Sequence, residues 1–479
     1  MFMCFPLNYQ GYALKVHSVS PSSRLLPITL SSISPIEEAP GAWPWIGHAW
    51  QFRKDPVQFF KKNSPIMGSL YSFRIFGRRI HVVNDPDLVQ EVLVGNMPAY
   101  SRRKTYTFLR ELLGEGLITS EGDHWRKNRR TLQPGFKREQ LTGLLEGIQS
   151  TAQEWINTKL ESAPLSLDLH VEMSQLTLRI LTRSIIDTQW DEDMDSFHLH
   201  LSDAWDHLSA QRFQSGQSFK LSNRKRIKKG QSAIESLKRT VGNIVQARRT
   251  SSNESSDLLA MLMSARDEVT GEGLSDQELI DEVMTLVIAG HDTTASALTW
   301  TVYCLTQNPQ WIGAMRDEIA RLPEGLWRME DLRQLDITSR VLQEGMRLYP
   351  PVWTFGRRTQ SETQLGGFSL PPDASVTMPL VAIHCLASSW SHPHAFHPDH
   401  FLADAIRDRS KFAYFPFGAG QRMCIGSHYA MMEMQCVLAH VLAQLDVEWL
   451  GPRHPALAPL VTLQPSVPLP CVFKPRKSS

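Results

Sequence analysis

Aromatic and β-branched residues crowd positions 70–76 and 79–83 on either side of Gly77-Arg78, a pattern that predicts a β-hairpin. Asp55-Pro56 and Asp85-Pro86 each place a capping side chain before a proline suited to a first helical turn, so short helices are expected after both, the first through Lys62. From residue 123 onward the apolar spacing is helical. The clearest stretch opens at Ser275, with Glu278 three residues later completing a capping box, and runs through apolar positions to about Gln307. Asn308-Pro309 stops it and caps the next helix. Some 30 residues at 1.5 Å each give a helix of roughly 45 Å, the width of a whole domain, so it must cross the core. Strand-like segments return at 365–382 and 459–474 around an irregular region rich in Pro and His. The fold class expected is mainly α with small β-sheets gathered to one side.

Composition narrows the function. The chain has 479 residues, 42% of them hydrophobic, enough for a large core, and no repeat or low-complexity linker divides it. Fifty basic against 49 acidic residues leave a net charge of +1, which excludes a general nucleic-acid binder. Cysteines 4, 304, 385, 424, 436 and 471 form no CxxC and no paired spacing, as in a reducing compartment rather than a disulfide framework or zinc ribbon. Residues 1–39 are broken by Pro6, Pro21, Pro27 and polar residues, so no transmembrane anchor is expected there. They are taken as a flexible N-terminal tail, with residues 40–479 as a single domain and the protein soluble and cytoplasmic.

The densest chemistry lies in Phe415-Pro416-Phe417-Gly418-Ala419-Gly420-Gln421-Arg422-Met423-Cys424-Ile425-Gly426. Glycines at 418, 420 and 426 would let the backbone turn tightly and approach a flat ligand. Backbone N–H groups, Arg422 and the dipole of a following helix, expected from Gly426 to Leu445, would favour a Cys424 thiolate, with Phe417 shielding the sulfur. A Gly-rich turn holding an inert cysteine is the plain alternative. The loop resembles the haem-binding signature of the cytochrome P-450 family, Phe-x-x-Gly-x-Arg-x-Cys-x-Gly. All five fixed positions are met, by Phe417, Gly420, Arg422, Cys424 and Gly426, and Ala430 fits its extension.

Other motifs fall in the family's order. Glu344 and Arg347, at helical i, i+3 spacing, can pair on one face and correspond to its Glu-x-x-Arg. The family's third partner is an arginine in a Pro-Glu-Arg-Phe-like turn, but here Pro398-Asp399-His400-Phe401 puts His400 at that place, and imidazole offers no bidentate fork. Ala289-Gly290-His291-Asp292-Thr293-Thr294 matches the oxygen-activation motif. Gly and two Thr are poor helix-interior choices, and a Thr293 hydroxyl returning to the Ala289 carbonyl would bend the helix. Trp125 and Arg129 resemble the family's Trp-x-x-x-Arg helix that meets haem propionates, and Arg357 the strand arginine that does the same.

The resemblance, spanning about residue 40 to the C-terminus, implies haem b (iron protoporphyrin IX) ligated by Cys424, with Asp292 and Thr293 as proton-delivering catalytic residues. It also implies O2 as co-substrate, insertion of one oxygen atom into a C–H bond of a hydrophobic small molecule, and electrons from a ferredoxin or flavodoxin with its reductase. Lys127, Arg130, Arg409 and Lys411 are expected to form the basic dock for that partner. Tyr100, Tyr106, Phe108, Phe213, Phe219, Val352, Trp353 and Phe355 are candidate substrate contacts. The stretch from Gly114 to Ser120 resembles fatty-acid-hydroxylating members, with terpenoid or polyketide substrates equally open. Two rivals stay open at this point: a haem-thiolate isomerase or dehydratase, and a non-catalytic haem-binding protein. His392, His394, His397 and His400 look like a metal cluster but lie in a proline-fixed loop without an acid or cysteine partner, and Arg224 to Lys229 reads as a solvated helix start.

Overall fold

The computed structural model describes residues 35–161, 166–186, 194–213, 223–250 and 257–476. Helices dominate them. The helix beginning at Ser275 forms as the capping box predicts: Asp276–Gln307, 32 residues, with the Ser275 side chain and Glu278 satisfying each other's backbone N–H. Most of its residues from Leu279 to Leu305 are buried, because it crosses the core and meets helices on several sides. Its C-terminal cap departs from expectation. The Asn308 amide turns back to donate to the Cys304 carbonyl at 2.8 Å, so Pro309 opens the next helix, Pro309–Ile319, without a side-chain cap.

Asp55 and Asp85 cap helices Pro56–Asn63 and Pro86–Gln90. The hairpin pairs Leu70–Ile75 with Arg78–Val83 across Phe76-Gly77, both at positive φ. It is the edge of a five-stranded sheet that continues through Ser375–Met378, Phe355–Thr359 and Tyr100–Ser101. The segment expected as strand over 365–382 is subdivided. Gly366-Gly367 turns a small hairpin of Thr363–Leu365 with Phe368–Leu370, and beyond Pro379 the chain is helical, Leu380–Ile383. Likewise 459–474 resolves into a hairpin of Leu457–Pro459 with Leu463–Pro465, then strand Pro470–Pro475, which pairs with Leu445–Trp449 and Leu167–Asp168. Proline lacks the N–H that a continuous strand needs, which explains both interruptions.

The expected boundary at residue 40 shifts. Ser72 donates to the Glu37 carbonyl, Ala39 donates to that of Ser72, and Arg74 pairs with Glu38, so residues 37–39 belong to the sheet's edge. Residues 1–34, most of the expected tail, lie outside the described residues. No helix among the described residues is long and apolar enough to cross a membrane.

Candidate functional site

A cavity of about 1670 Å³ lies between the long helix, the cysteine loop and the strand Phe355–Thr359. Cys424, Asp292 and Thr293 all line it, as do Trp125, Arg129, Arg357, Phe417, Arg422 and Gly426. The sequence-predicted site residues thus converge on one space, apart from Glu344, Arg347 and His400, discussed below.

The cysteine loop is built by hydrogen bonds that close it on itself: Cys424 N–H to the Phe417 carbonyl at 2.8 Å, Met423 N–H to Gly420 at 3.0 Å and Gly418 N–H to Phe415 at 2.9 Å. Gly420 sits at φ +67 against the neighbouring helical turn, where a Cβ would stand 2.3 Å from the Leu93 carbonyl oxygen, so no other residue fits. Gly426 is different. Its φ of −89 is ordinary, and the nearest protein atom to an added Cβ is 4.0 Å away. Its missing side chain leaves room on the cavity side, as a planar ligand requires. The following helix is Ser427–Gln444, and Leu445 has passed into a strand.

Cys424 is exposed toward the cavity it lines and is otherwise surrounded by protein. Burial pushes its thiol up from the usual value, with the Gly426 N–H and the Arg129 charge pulling the other way. The groups that favour a thiolate here are thus the Gly426 N–H and Arg129, not the full set expected. Arg422 is also not the cation that acts on the sulfur. Its guanidinium lies 3.7 Å over the Trp125 ring and donates to the carbonyls of Ser120 at 3.0 Å and Leu117 at 3.4 Å. Arg129 donates to the Met423 carbonyl at 2.9 Å and is the cation beside Cys424.

Four arginines crowd this end of the cavity. Burial, with Arg102 next in weight, pulls Arg422 down to about 9 and Arg357 down to about 10. Arg102 itself has a buried Nε with no hydrogen-bond partner. Glu121 offsets part of this charge, and the remaining cations with an unsatisfied donor suit an anion carrying more than one carboxylate, as the two propionates of haem b do. Arg102 was missed in the sequence because no motif marks it.

On the long helix, Thr293 and Thr294 hydroxyls donate to the carbonyls of Ala289 and Gly290, each at 2.7 Å, and the helix stays continuous. Gly290 has a packing reason as well: a Cβ there would come within 2.9 Å of Leu181. Asp292 is buried, its carboxylate accepting from Thr462 Oγ1 and from Gln464 Nε2 at 2.7 Å. His291 points away, 2.8 Å from Ser174 Oγ, and burial pulls it down to about 4, so it is neutral.

The Glu344–Arg347 pair is fully buried and bidentate at 2.8 and 2.7 Å. Arg347 also donates to the carbonyls of His384, Pro393 and Ala395. His400 Nδ1 reaches Glu344 Oε1 at 3.2 Å, and the His397 N–H donates to the same oxygen at 2.8 Å. Arg409 lies 3.8 Å over Trp390 and donates to the His400 carbonyl, and Arg347 lies 4.8 Å over the same ring. An arginine therefore does enter this network, from position 409.

That removes Arg409 from the expected dock. Lys127 pairs with Glu272 and Glu278, and Arg130 with Asp267, so these charges are also neutralised internally. Of the substrate candidates, Tyr106, Phe108, Val352, Trp353 and Phe355 line the cavity, whereas Tyr100 is buried in the sheet outside it. Phe219 and the Phe213 side chain lie outside the described residues.

The loop 114–120 is clamped to the long helix. Glu115 N–H donates to Asp281 at 2.9 Å and Leu117 N–H to Glu282 at 3.1 Å, while Asn128 on the Trp125 helix donates to Glu282 at 2.9 Å. Gly114, at φ +55, lies so close that a Cβ would fall 2.2 Å from the Asp281 carboxylate. Packing thus accounts for a stretch whose resemblance pointed to fatty acids. Burial pushes Glu282 up to about 7. The folded chain then binds more protons than the unfolded one between about pH 4.5 and 7, so this group lowers stability as pH rises through that window. Glu282→Gln is expected to flatten that slope and to be the more stable protein at pH 8, by on the order of 3 kcal/mol. Asn128 Oδ1, now without a partner, can accept from the new amide after a flip. Denaturant unfolding from pH 5 to 8 checks this, and parallel pH profiles for the two proteins would refute it.

A mainly helical chain whose central helix carries an acid and an alcohol across a cavity from a glycine-framed cysteine defines a haem-thiolate protein. The chain belongs to the cytochrome P-450 family, whose model matches residues 38–469. It is 31% identical over 417 residues to cyclooctatin synthase of Streptomyces melanosporofaciens, across 84% of this chain and 88% of that protein. It is 29% identical over 425 residues to pentalenene oxygenase of Streptomyces avermitilis, across 85% and 90%. The crystal structure of the cytochrome P-450DA haem domain superposes with a TM-score of 0.85 at 25% identity, covering 93% of this chain and 98% of that one. The cofactor is haem b, and the protein is an oxidoreductase of the monooxygenase class that incorporates oxygen from O2.

Proposed function

We propose that Cys424 ligates the haem iron, that Arg102, Trp125, Arg129, Arg357 and Arg422 hold its propionate end, and that Asp292 and Thr293 deliver protons for oxygen activation. The observation that carries this reading is the single cavity lined by the thiol, the arginine cluster and the acid–alcohol pair. When bound, haem with a thiolate ligand supplies the chemistry that cleaves O–O and oxidises C–H bonds. The chain's own contribution is position and dryness. Phe417 and Gly426 frame the sulfur, the arginines neutralise carboxylates, and Asp292 and Thr293, neighbours in sequence that both line the cavity, supply the carboxylate and the hydroxyl for proton transfer. Glu344, Arg347 and His400 hold the surrounding loops in place.

The substrate is an apolar carbocycle of the kind named in the relatives pentalenene oxygenase and cyclooctat-9-en-7-ol 5-monooxygenase, a hydrocarbon or a simple alcohol. Aromatic and aliphatic lining supports that class (Tyr106, Phe108, Leu113, Ile288, Val352, Val461). Electrons come from a separate ferredoxin or flavodoxin with its reductase. Residues 40–479, joined by the sheet-edge residues 37–39, act as one catalytic unit, and the five described cysteines, all free, fit a cytoplasmic setting.

The test is spectroscopic and then chemical. The reduced, carbon-monoxide-treated protein is expected to show the red-shifted Soret band of thiolate ligation. Pentalenene is expected to be hydroxylated only with O2 and reductant; hydroxylation without either would refute the monooxygenase assignment. For the redox partner, exposed Lys137 and Arg138 take the place of the paired Lys127 and Arg130. Replacing both with glutamine is expected to slow ferredoxin-driven reduction several-fold at low salt and little at high salt, because such contacts are screened within about 10 Å at 0.1 M. Stopped-flow rates that ignore the change would remove that face from consideration.

A further inference from the structure

Asp292 sits at the middle of the long helix, but neither of its hydrogen-bond donors comes from that helix. Both come from one hairpin, Leu457–Pro459 with Leu463–Pro465, more than 160 residues downstream. Thr462 Oγ1 donates to one carboxylate oxygen and Gln464 Nε2 to the other, at 2.7 Å. Thr462 ends the turn and Gln464 lies in the strand, on either side of Leu463, and both side chains reach Asp292.

Leu463, between them, is fully buried and faces the opposite way. Its carbonyl accepts from Ser296 Oγ and from Trp300 Nε1, both at 2.7 Å, and its N–H donates to the Pro351 carbonyl at 2.9 Å. Trp353 Nε1 fixes the hairpin tip through the Leu460 carbonyl at 3.0 Å. The hairpin is thus seated along about two further turns of the same helix, from Asp292 to Trp300. Meanwhile Leu460, Val461 and Thr462 line the cavity. One short element therefore touches the substrate space and saturates the catalytic acid.

We propose that Thr462 and Gln464 are positioning residues for proton delivery, fixing the direction in which the Asp292 carboxylate faces the cavity through the seating of this hairpin. The proposal rests on the reading of Asp292 as the proton-delivering acid. A carboxylate with both oxygens engaged cannot rotate freely, and charge-assisted hydrogen bonds of this kind are the stronger sort. Removing either donor frees one oxygen and lets the group swing about its side-chain torsion. The nearby histidines do not replace the donors: His291 is bonded to Ser174 and His170 lies by Thr299.

The test needs no knowledge of the natural substrate. Supplied with reduced ferredoxin and O2 but no organic compound, the holoenzyme divides electrons between two balanced outcomes. Two electrons and two protons turn O2 into hydrogen peroxide, while four of each turn it into two waters. Cleaving the O–O bond needs well-placed protons, so misdirected delivery shifts electrons toward peroxide. Thr462→Val keeps volume and removes the donor, Gln464→Leu removes the other, and Thr462→Ser restores a hydroxyl. The expected result is at least a threefold rise in the peroxide-to-water ratio for Thr462→Val and for Gln464→Leu, with Thr462→Ser near wild type and haem content unchanged.

A second readout is independent of haem. In protein carrying 13C-labelled aspartate, the infrared carboxylate band that disappears in Asp292→Asn is expected to shift in both donor variants and not in Thr462→Ser. If Asp292→Asn leaves the peroxide-to-water ratio unchanged, the reading of Asp292 itself fails. If Asp292→Asn raises the ratio but the donor variants change neither it nor the infrared band, the role of the hairpin is overturned. A ratio raised equally by Thr462→Ser would mark a general packing defect and overturn it as well.

Discussion

Arg347→Leu is expected to destabilise the protein by about 3–5 kcal/mol, the cost of breaking a buried ion pair from one side. The side chain makes two bonds to Glu344 and one each to three backbone carbonyls, and the Glu344 carboxylate and the His384 carbonyl belong to fully buried residues. Leucine leaves a buried carboxylate whose remaining donors are the His397 N–H and His400, and it also removes the guanidinium that lies over Trp390. Against a total stability of roughly 5–15 kcal/mol, such a loss removes much of the folded population. Arg347→Lys is expected to recover little, because one ammonium cannot serve the fork and the three carbonyls together. Glu344→Gln keeps one acceptor and is expected to be milder. Denaturant midpoints measure all three, and an Arg347→Leu variant unfolding at the wild-type midpoint would contradict the assignment.

Cys424→Ser is expected to leave the fold intact and eliminate the chemistry. The side chain faces the cavity, and what holds its loop is backbone hydrogen bonding that serine does not disturb. What changes is the donor atom: sulfur is a soft, polarisable ligand, and a serine hydroxyl is not. The variant should melt like wild type and lose the red-shifted carbon-monoxide band. Its O2- and reductant-dependent oxidation of a hydrophobic substrate should fall below detection. A serine variant that keeps that band would mean another residue ligates the iron.

Local chemistry was readable in advance wherever it is carried by contiguous residues. The capping box at Ser275 and the Asp-Pro helix starts formed as their side chains dictate, and the hairpin formed with its turn one residue earlier than expected, at Phe76-Gly77 instead of Gly77-Arg78. The residues of the cysteine loop and the acid–alcohol pair, found by their resemblance to family motifs, do line one cavity. What escaped was long-range. Arg102 and the Asp292 donors belong to no motif, and only folding brings positions 102, 462 and 464 to the site. Arg409 and Arg422 were assigned by proximity along the chain, whereas burial sends their guanidinium groups to Trp390 and Trp125. Lys127 and Arg130 looked like a free basic face because their acids, Glu272, Glu278 and Asp267, lie more than 130 positions away. The strand estimates at 365–382 and 459–474 ran across prolines that divide them.

Crowding of Arg102, Arg129, Arg357 and Arg422 at one end of the cavity bears on how the protein matures in a cell. Haem brings two carboxylates to an end where these four arginines stand with Glu121 beside them, and any molecule binding only the folded form pulls the chain toward it by mass action. Porphyrin supply during synthesis then governs how much chain survives proteolysis, and a culture starved of iron or of porphyrin precursor would yield little intact protein however strongly the gene is transcribed.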